Sequence, residues 1–162
     1  MLGRLCLNMM SPHQRPGTKQ YSRSSEAVTE KPRLLLADDN TAVLNHVSDF
    51  LAKDFHIVAA VTDGESALRT YQERQPDLLI LDISMGKVGG LEVARILRKS
   101  GSQLPIVFLT VHQESDFINA ALASGGSAYV LKSHLANDLV PAIHAALSGE
   151  RFISPCLLHH FS

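Results

Sequence analysis

The run Arg33-Leu34-Leu35-Leu36-Ala37-Asp38-Asp39 decides the fold. Four consecutive apolar residues stop abruptly at two acids. A strand with one wet face alternates apolar and polar residues, whereas a strand covered on both faces reads as an unbroken apolar run. The same design recurs downstream. Ile57 to Val61 is a β-branched run, Leu78 to Leu81 ends at Asp82, Ile106 to Leu109 ends at Thr110, and Ser127 to Leu131 ends at Lys132. Between these runs the apolar period changes to that of a helix. Thr41 to Lys53 carries Leu44, Val47 and Leu51. Asp63 is placed to N-cap a helix through Arg74 with Ala67, Leu68 and Tyr71 inward. Gly90 to Lys99 carries Leu91, Ala94 and Leu97, and Glu114 to Ser124 carries Phe117, Ile118, Ala121 and Leu122. Leu135 to Leu147 carries Leu139, Ile143, Ala146 and Leu147, with Gly149 as its stop signal. Alternating strands and helices of this kind predict an α/β fold, a parallel sheet with helices on both faces.

The flanks read differently. Residues 1–32 are rich in Ser, Pro and scattered basic residues without periodicity, which predicts a disordered leader ending at Pro32. Residues 33–150 form the expected domain, and residues 151–162 read as a linker-like tail. The 162-residue chain has 15 basic and 16 acidic residues, a formal net charge of −1. That balance argues against direct nucleic-acid binding by this chain. Trp is absent and aromatics are 6%, so a stacking platform for single strands is not expected. No apolar run approaches the roughly 20 residues of a membrane span. No small-residue cleavage site follows Met1–Met10, so no signal peptide is expected. Cys6 and Cys156 make no disulfide framework or metal spacing, and a cytoplasmic setting fits. His159-His160 read as a solvated tail rather than metal ligands.

In open parallel sheets, sites form outside the carboxyl ends of the strands, where the strand order reverses. Asp38, Asp39, Asp82, Thr110 and Lys132 are therefore expected to converge on one cleft. Two unit charges about 4 Å apart repel by roughly 4 kcal/mol at an effective dielectric of 20. Three crowded carboxylates call for a cation, and Mg²⁺ suits oxygen donors. Lys132 supplies a second positive group and Thr110 a hydroxyl. A carboxylate in such a site is able to attack phosphorus and form an aspartyl-phosphate.

These pieces resemble the receiver domain of two-component response regulators. The matching stretches are Leu34 to Asp39, Leu81-Asp82, Leu109-Thr110 and Ala128-Tyr129-Val130-Leu131-Lys132. Their spacing matches too: 43 residues separate Asp39 from Asp82, 28 separate Asp82 from Thr110, and 22 separate Thr110 from Lys132. The resemblance covers residues 33 to about 150. It implies a flavodoxin-like three-layer sandwich with a five-stranded sheet of order 2-1-3-4-5. It also implies that Asp82 is the phosphoacceptor, and that Asp38, Asp39, Asp82 and the backbone carbonyl of Ser84 hold Mg²⁺. Thr110 and Lys132 then act on the phosphoryl group, and Thr110 and Tyr129 form the switch. Read without the family, Tyr129 is a half-buried strand aromatic. The implied partners are a sensor histidine kinase or phosphotransfer protein as donor and a downstream protein target. Homodimerisation through the last two units is an alternative that the exposed faces leave open. Gly125 to Lys132 and Ser148 to Pro155 resemble the LuxR/NarL type, whose helix-turn-helix output domain finds no room in residues 156–162.

Two positions depart from the family pattern. Gly86 stands where proline is usual, which predicts a looser loop after Asp82. Val111 follows Thr110 where a smaller residue is common, and is expected to crowd the phosphoryl site. Other functions weighed are a phosphorylation-independent interaction module and an aspartate-nucleophile phosphatase. The second is disfavoured because Ser84 stands where its acid/base Asp is needed.

Overall fold

A computed structural model of the chain describes residues 29–161. The expected leader lies, up to residue 28, outside the described residues, as does Cys6. Strand β1 (Arg33–Ala37) leads into helix α1 (Thr41–Leu51), then β2 (His56–Val61), α2 (Gly64–Arg74), β3 (Leu78–Leu81) and α3 (Gly90–Lys99). These are followed by β4 (Ile106–Thr110), α4 (Ser115–Ala123), β5 (Ala128–Leu131), α5 (Leu135–Leu147) and β6 (Phe152–Ile153). The sheet order is β2-β1-β3-β4-β5-β6, and every pairing is parallel.

The apolar runs are buried on both faces, as their lack of alternation requires. Leu34 and Leu36 of β1 face a layer with Leu44, Val47 and Leu51 of α1 and Leu139 and Ile143 of α5. Leu35 and Ala37 face Ala67 of α2, Val93 and Leu97 of α3, and Ile118 and Ala121 of α4. The chain leaves β1 to pair β2 on one side and returns to pair β3 on the other. The crevice above β1 and β3 is therefore the switch point of the sheet.

Helices α1 and α2 start on side-chain caps. Asp63 caps α2 by accepting from the Ser66 N–H at 2.7 Å, as expected. The cap of α1 is Asn40, which accepts from the Ala42 and Val43 N–H groups. That leaves Asp38 and Asp39 free of capping duty. Helix α1 ends at Leu51, two residues before the expected Lys53.

The tail expected to be linker-like is instead built into the fold. Phe152 and Ile153 pair in register with Ala128 and Tyr129, which adds a sixth strand beyond the expected five. Ser154 is fully buried, and its hydroxyl accepts from the Leu131 N–H at 3.1 Å. A 3-10 helix (Pro155–Phe161) then turns Leu157, 1% exposed, into the layer shared with α2, α3 and α4. The reason is physical: β5 would otherwise carry an unpaired edge, and a short paired segment satisfies it.

Candidate functional site at the carboxyl ends of the strands

Asp38 follows the last residue of β1, and Asp82 the last residue of β3. The hydrogen-bond ladder extends one residue further to hold both backbones. The Asp38 N–H donates to Val61 O at 3.1 Å, and the Asp82 N–H donates to Ala37 O at 2.9 Å. Asp38 and Asp82 are buried and Asp39 is exposed. One carboxylate oxygen from each of the three lies within 4.8 Å of the others. Lys132, at the end of β5, reaches across to them. Its Nζ stands 2.6 Å from Asp38 Oδ2 and 3.3 Å from Asp82 Oδ2.

Three acids and one lysine do not balance, and the electrostatics show it. Burial raises the Asp82 pKa above the usual carboxylate value, and the Asp38 charge adds to the rise. Lys132 and the Ser84 backbone N–H pull it back only in part. For Lys132 burial works against the charge, but Asp38 and Asp82 together outweigh it and raise the pKa.

Thr110, Tyr129 and Ser84 form a second group, joined through a residue the sequence reading passed over. His112 lies two positions after Thr110, and its N–H donates to Thr110 Oγ1 at 3.3 Å. The hydroxyl of fully buried Tyr129 donates to the His112 carbonyl at 2.9 Å. The His112 Nε2 and Ser84 Oγ are hydrogen-bonded at 2.8 Å. The ring stacks on Phe117 of α4 with centroids 4.0 Å apart. The signal available in sequence was position alone: a polar side chain in the loop after β4, next to the loop after β3. Tyr129 is more deeply buried than a half-covered strand aromatic, and burial raises its pKa.

The two departures also have structural answers. The loop after Asp82 is anchored rather than loose. Met85 is buried, and the Gly90 N–H donates to Ile83 O at 2.9 Å. A Cβ on Gly90 would clash with the Asp82 carbonyl oxygen, so only glycine lets α3 start so close to Asp82. Gly86, at φ +48°, projects at the tip with open space around it. Val111 points out of the site: it is 65% exposed and lines a shallow concavity with Gln113, Glu114 and His160.

The donor set suits a hard divalent cation. It consists of carboxylate oxygens alone, clustered at a spacing that repulsion opposes, at the mouth of a cleft with one exposed acid. Asp38, Asp39 and Asp82 are the residues that would hold Mg²⁺. No helix among the described residues is long and apolar enough to cross a membrane.

Comparison with known proteins agrees with this fold. The sequence profile of the response regulator receiver domain matches residues 34–144. The transcriptional regulatory protein DegU of Brevibacillus brevis is 30% identical over 139 residues, covering 84% of this chain and 59% of DegU. The transcriptional regulatory protein AfsQ1 of Streptomyces coelicolor is 36% identical over 121 residues, covering 74% of this chain and 53% of AfsQ1. The chain thus spans between half and two thirds of the length of these relatives. Among solved structures, a LuxR-family two-component response regulator from Aurantimonas sp. SI85-9A1 superposes with a TM-score of 0.76. It is 32% identical, with 80% of this chain and 94% of that chain covered.

Proposed function

This chain belongs to the response regulator receiver family, and on that premise we propose that it is a phosphorylation-controlled signalling module with Asp82 as acceptor. The observation that carries the proposal is the meeting of Asp38, Asp39, Asp82 and Lys132 at the switch point of the sheet. An Asp82 carboxylate oxygen attacks the phosphorus of a phosphohistidine on a sensor kinase or phosphotransfer protein. The P–N bond breaks, the imidazole leaves with its electron pair, and an acyl phosphate remains on Asp82. Asp38, Asp39, Asp82 and the Ser84 carbonyl would hold Mg²⁺, which would supply positive charge to offset the phosphoryl oxygens. Lys132 already sits 3.3 Å from the acceptor and holds a phosphoryl oxygen after transfer.

The new group brings about −1.5 to −2 charges. It draws the Thr110 hydroxyl inward, and the loop that follows Thr110 carries the His112 carbonyl that holds Tyr129. Movement of that loop therefore reaches β5 and changes the surface seen by a downstream protein or a second copy of the chain. The setting is cytoplasmic. A second reading, the input half of a transcription regulator, is favoured by the names of the relatives and by the share of them that this chain spans.

The test is incubation with acetyl phosphate and Mg²⁺, followed by intact mass and chemical shifts. A phosphoryl adduct on the wild-type chain, absent from Asp82→Asn, is the expected result, and beryllofluoride should produce the same shifts. No Asp82-dependent change in either measurement would overturn the proposal.

A further inference from the structure

We propose that His112 is a positioning residue for phosphoryl transfer, acting through Ser84. The inference rests on Asp82 being the acceptor and goes beyond it. Ser84 lies two residues after Asp82, and its backbone N–H helps to hold the Asp82 carboxylate in its ionised form. Its side chain is otherwise free to wave, because Ser84 is exposed beside the glycine-bearing tip of the loop. The bond from Ser84 Oγ to His112 Nε2, at 2.8 Å, ties that residue across the cleft to the loop after β4.

His112 is itself held at its ring and at its backbone. The ring stacks on Phe117, and the carbonyl accepts from the buried Tyr129 hydroxyl. A side chain held in this way is preorganised, so the contact with Ser84 orders the acceptor loop without a new entropic cost at each turnover. One residue thus touches the acceptor loop by its side chain and the switch tyrosine by its backbone. The pairing is specific to a chain with His and Ser at these two positions.

The test uses the full chain with acetyl phosphate at saturating donor and Mg²⁺. His112→Phe keeps an aromatic ring to stack on Phe117 but removes the bond to Ser84, and Ser84→Ala removes the same bond from the other side. Each single variant should label Asp82 about fivefold more slowly, the scale of one hydrogen bond. The double variant should be no slower than either single one, with the thermal midpoint little changed throughout. A merely structural role would lower the midpoint and leave the saturated rate alone. Unchanged rates, or effects that multiply in the double variant, would overturn the inference while wild-type labelling still upheld Asp82 as acceptor. A wild-type chain that takes no label on Asp82 would overturn that reading, and this inference with it.

Discussion

The Lys132 ammonium is closer to Asp38, at 2.6 Å, than to Asp82, at 3.3 Å. The lysine therefore spends its shortest contact on Asp38 rather than on the proposed acceptor. Its longer contact is the one a phosphoryl oxygen would take over. The arrangement makes Lys132 the neutralising charge of two buried carboxylates before any chemistry occurs.

Replacing Lys132 with Met should therefore cost stability as well as phosphotransfer. Removing one partner of a buried ion pair leaves the other uncompensated, a loss of roughly 3 kcal/mol or more. The Lys132 pKa is raised above its ordinary 10.5. Its contribution is then full below that value and disappears as the pH rises through the folded value. Urea unfolding should show a constant gap between wild type and Lys132→Met near neutrality, closing in strong alkali.

Asp82→Asn should act in the opposite direction on stability while abolishing the acceptor. Burial and Asp38 raise the folded pKa of Asp82 above its ordinary 3.8. The fold therefore favours the protonated form, and ionisation costs stability as the pH rises from 3.8 through the folded value. The variant should melt higher than wild type at pH 7. The difference should shrink when both are measured in acid, where the wild-type carboxyl carries its proton.

Mg²⁺ should raise the midpoint of the wild-type chain. A ligand at ten times its dissociation constant stabilises by about 1.4 kcal/mol when it binds only the folded form. Asp39→Asn removes the exposed carboxylate of the cluster and should remove most of that gain. Thermal melts with and without the ion measure both.

The C-terminal segment should contribute to the stability of the domain. Ser154→Ala strands the buried Leu131 N–H, which costs about 2 kcal/mol. Leu157→Ala opens a cavity in the apolar layer on that face of the sheet, at about 3 kcal/mol. Faster hydrogen exchange at the Leu131 amide would accompany the first change, and a lower urea midpoint would accompany both.

Much of this molecule is legible in its sequence. Leu34 to Ala37 and Leu78 to Leu81 carry burial on both faces in four residues each. Asp38, Asp39, Asp82 and Lys132 announce themselves by standing at strand ends. Phe152 to Leu157 carry no such signal, because a two-residue strand and a 3-10 helix have no period long enough to detect. Asp63 is legible as a cap, whereas Asn40 stands behind two acids that also suit that role.

The sequence by itself determined the parallel sheet, its helical layers and the acids at its mouth. These follow from local pattern, since burial and chain direction act on residues close together in the chain. Only the tertiary structure decided that Lys132 leans toward Asp38, that Ser154 satisfies Leu131, and that His112 bonds Ser84 28 residues away. Such pairs depend on how separate loops settle over the sheet, and a few tenths of an ångström there decide which donor meets which acceptor.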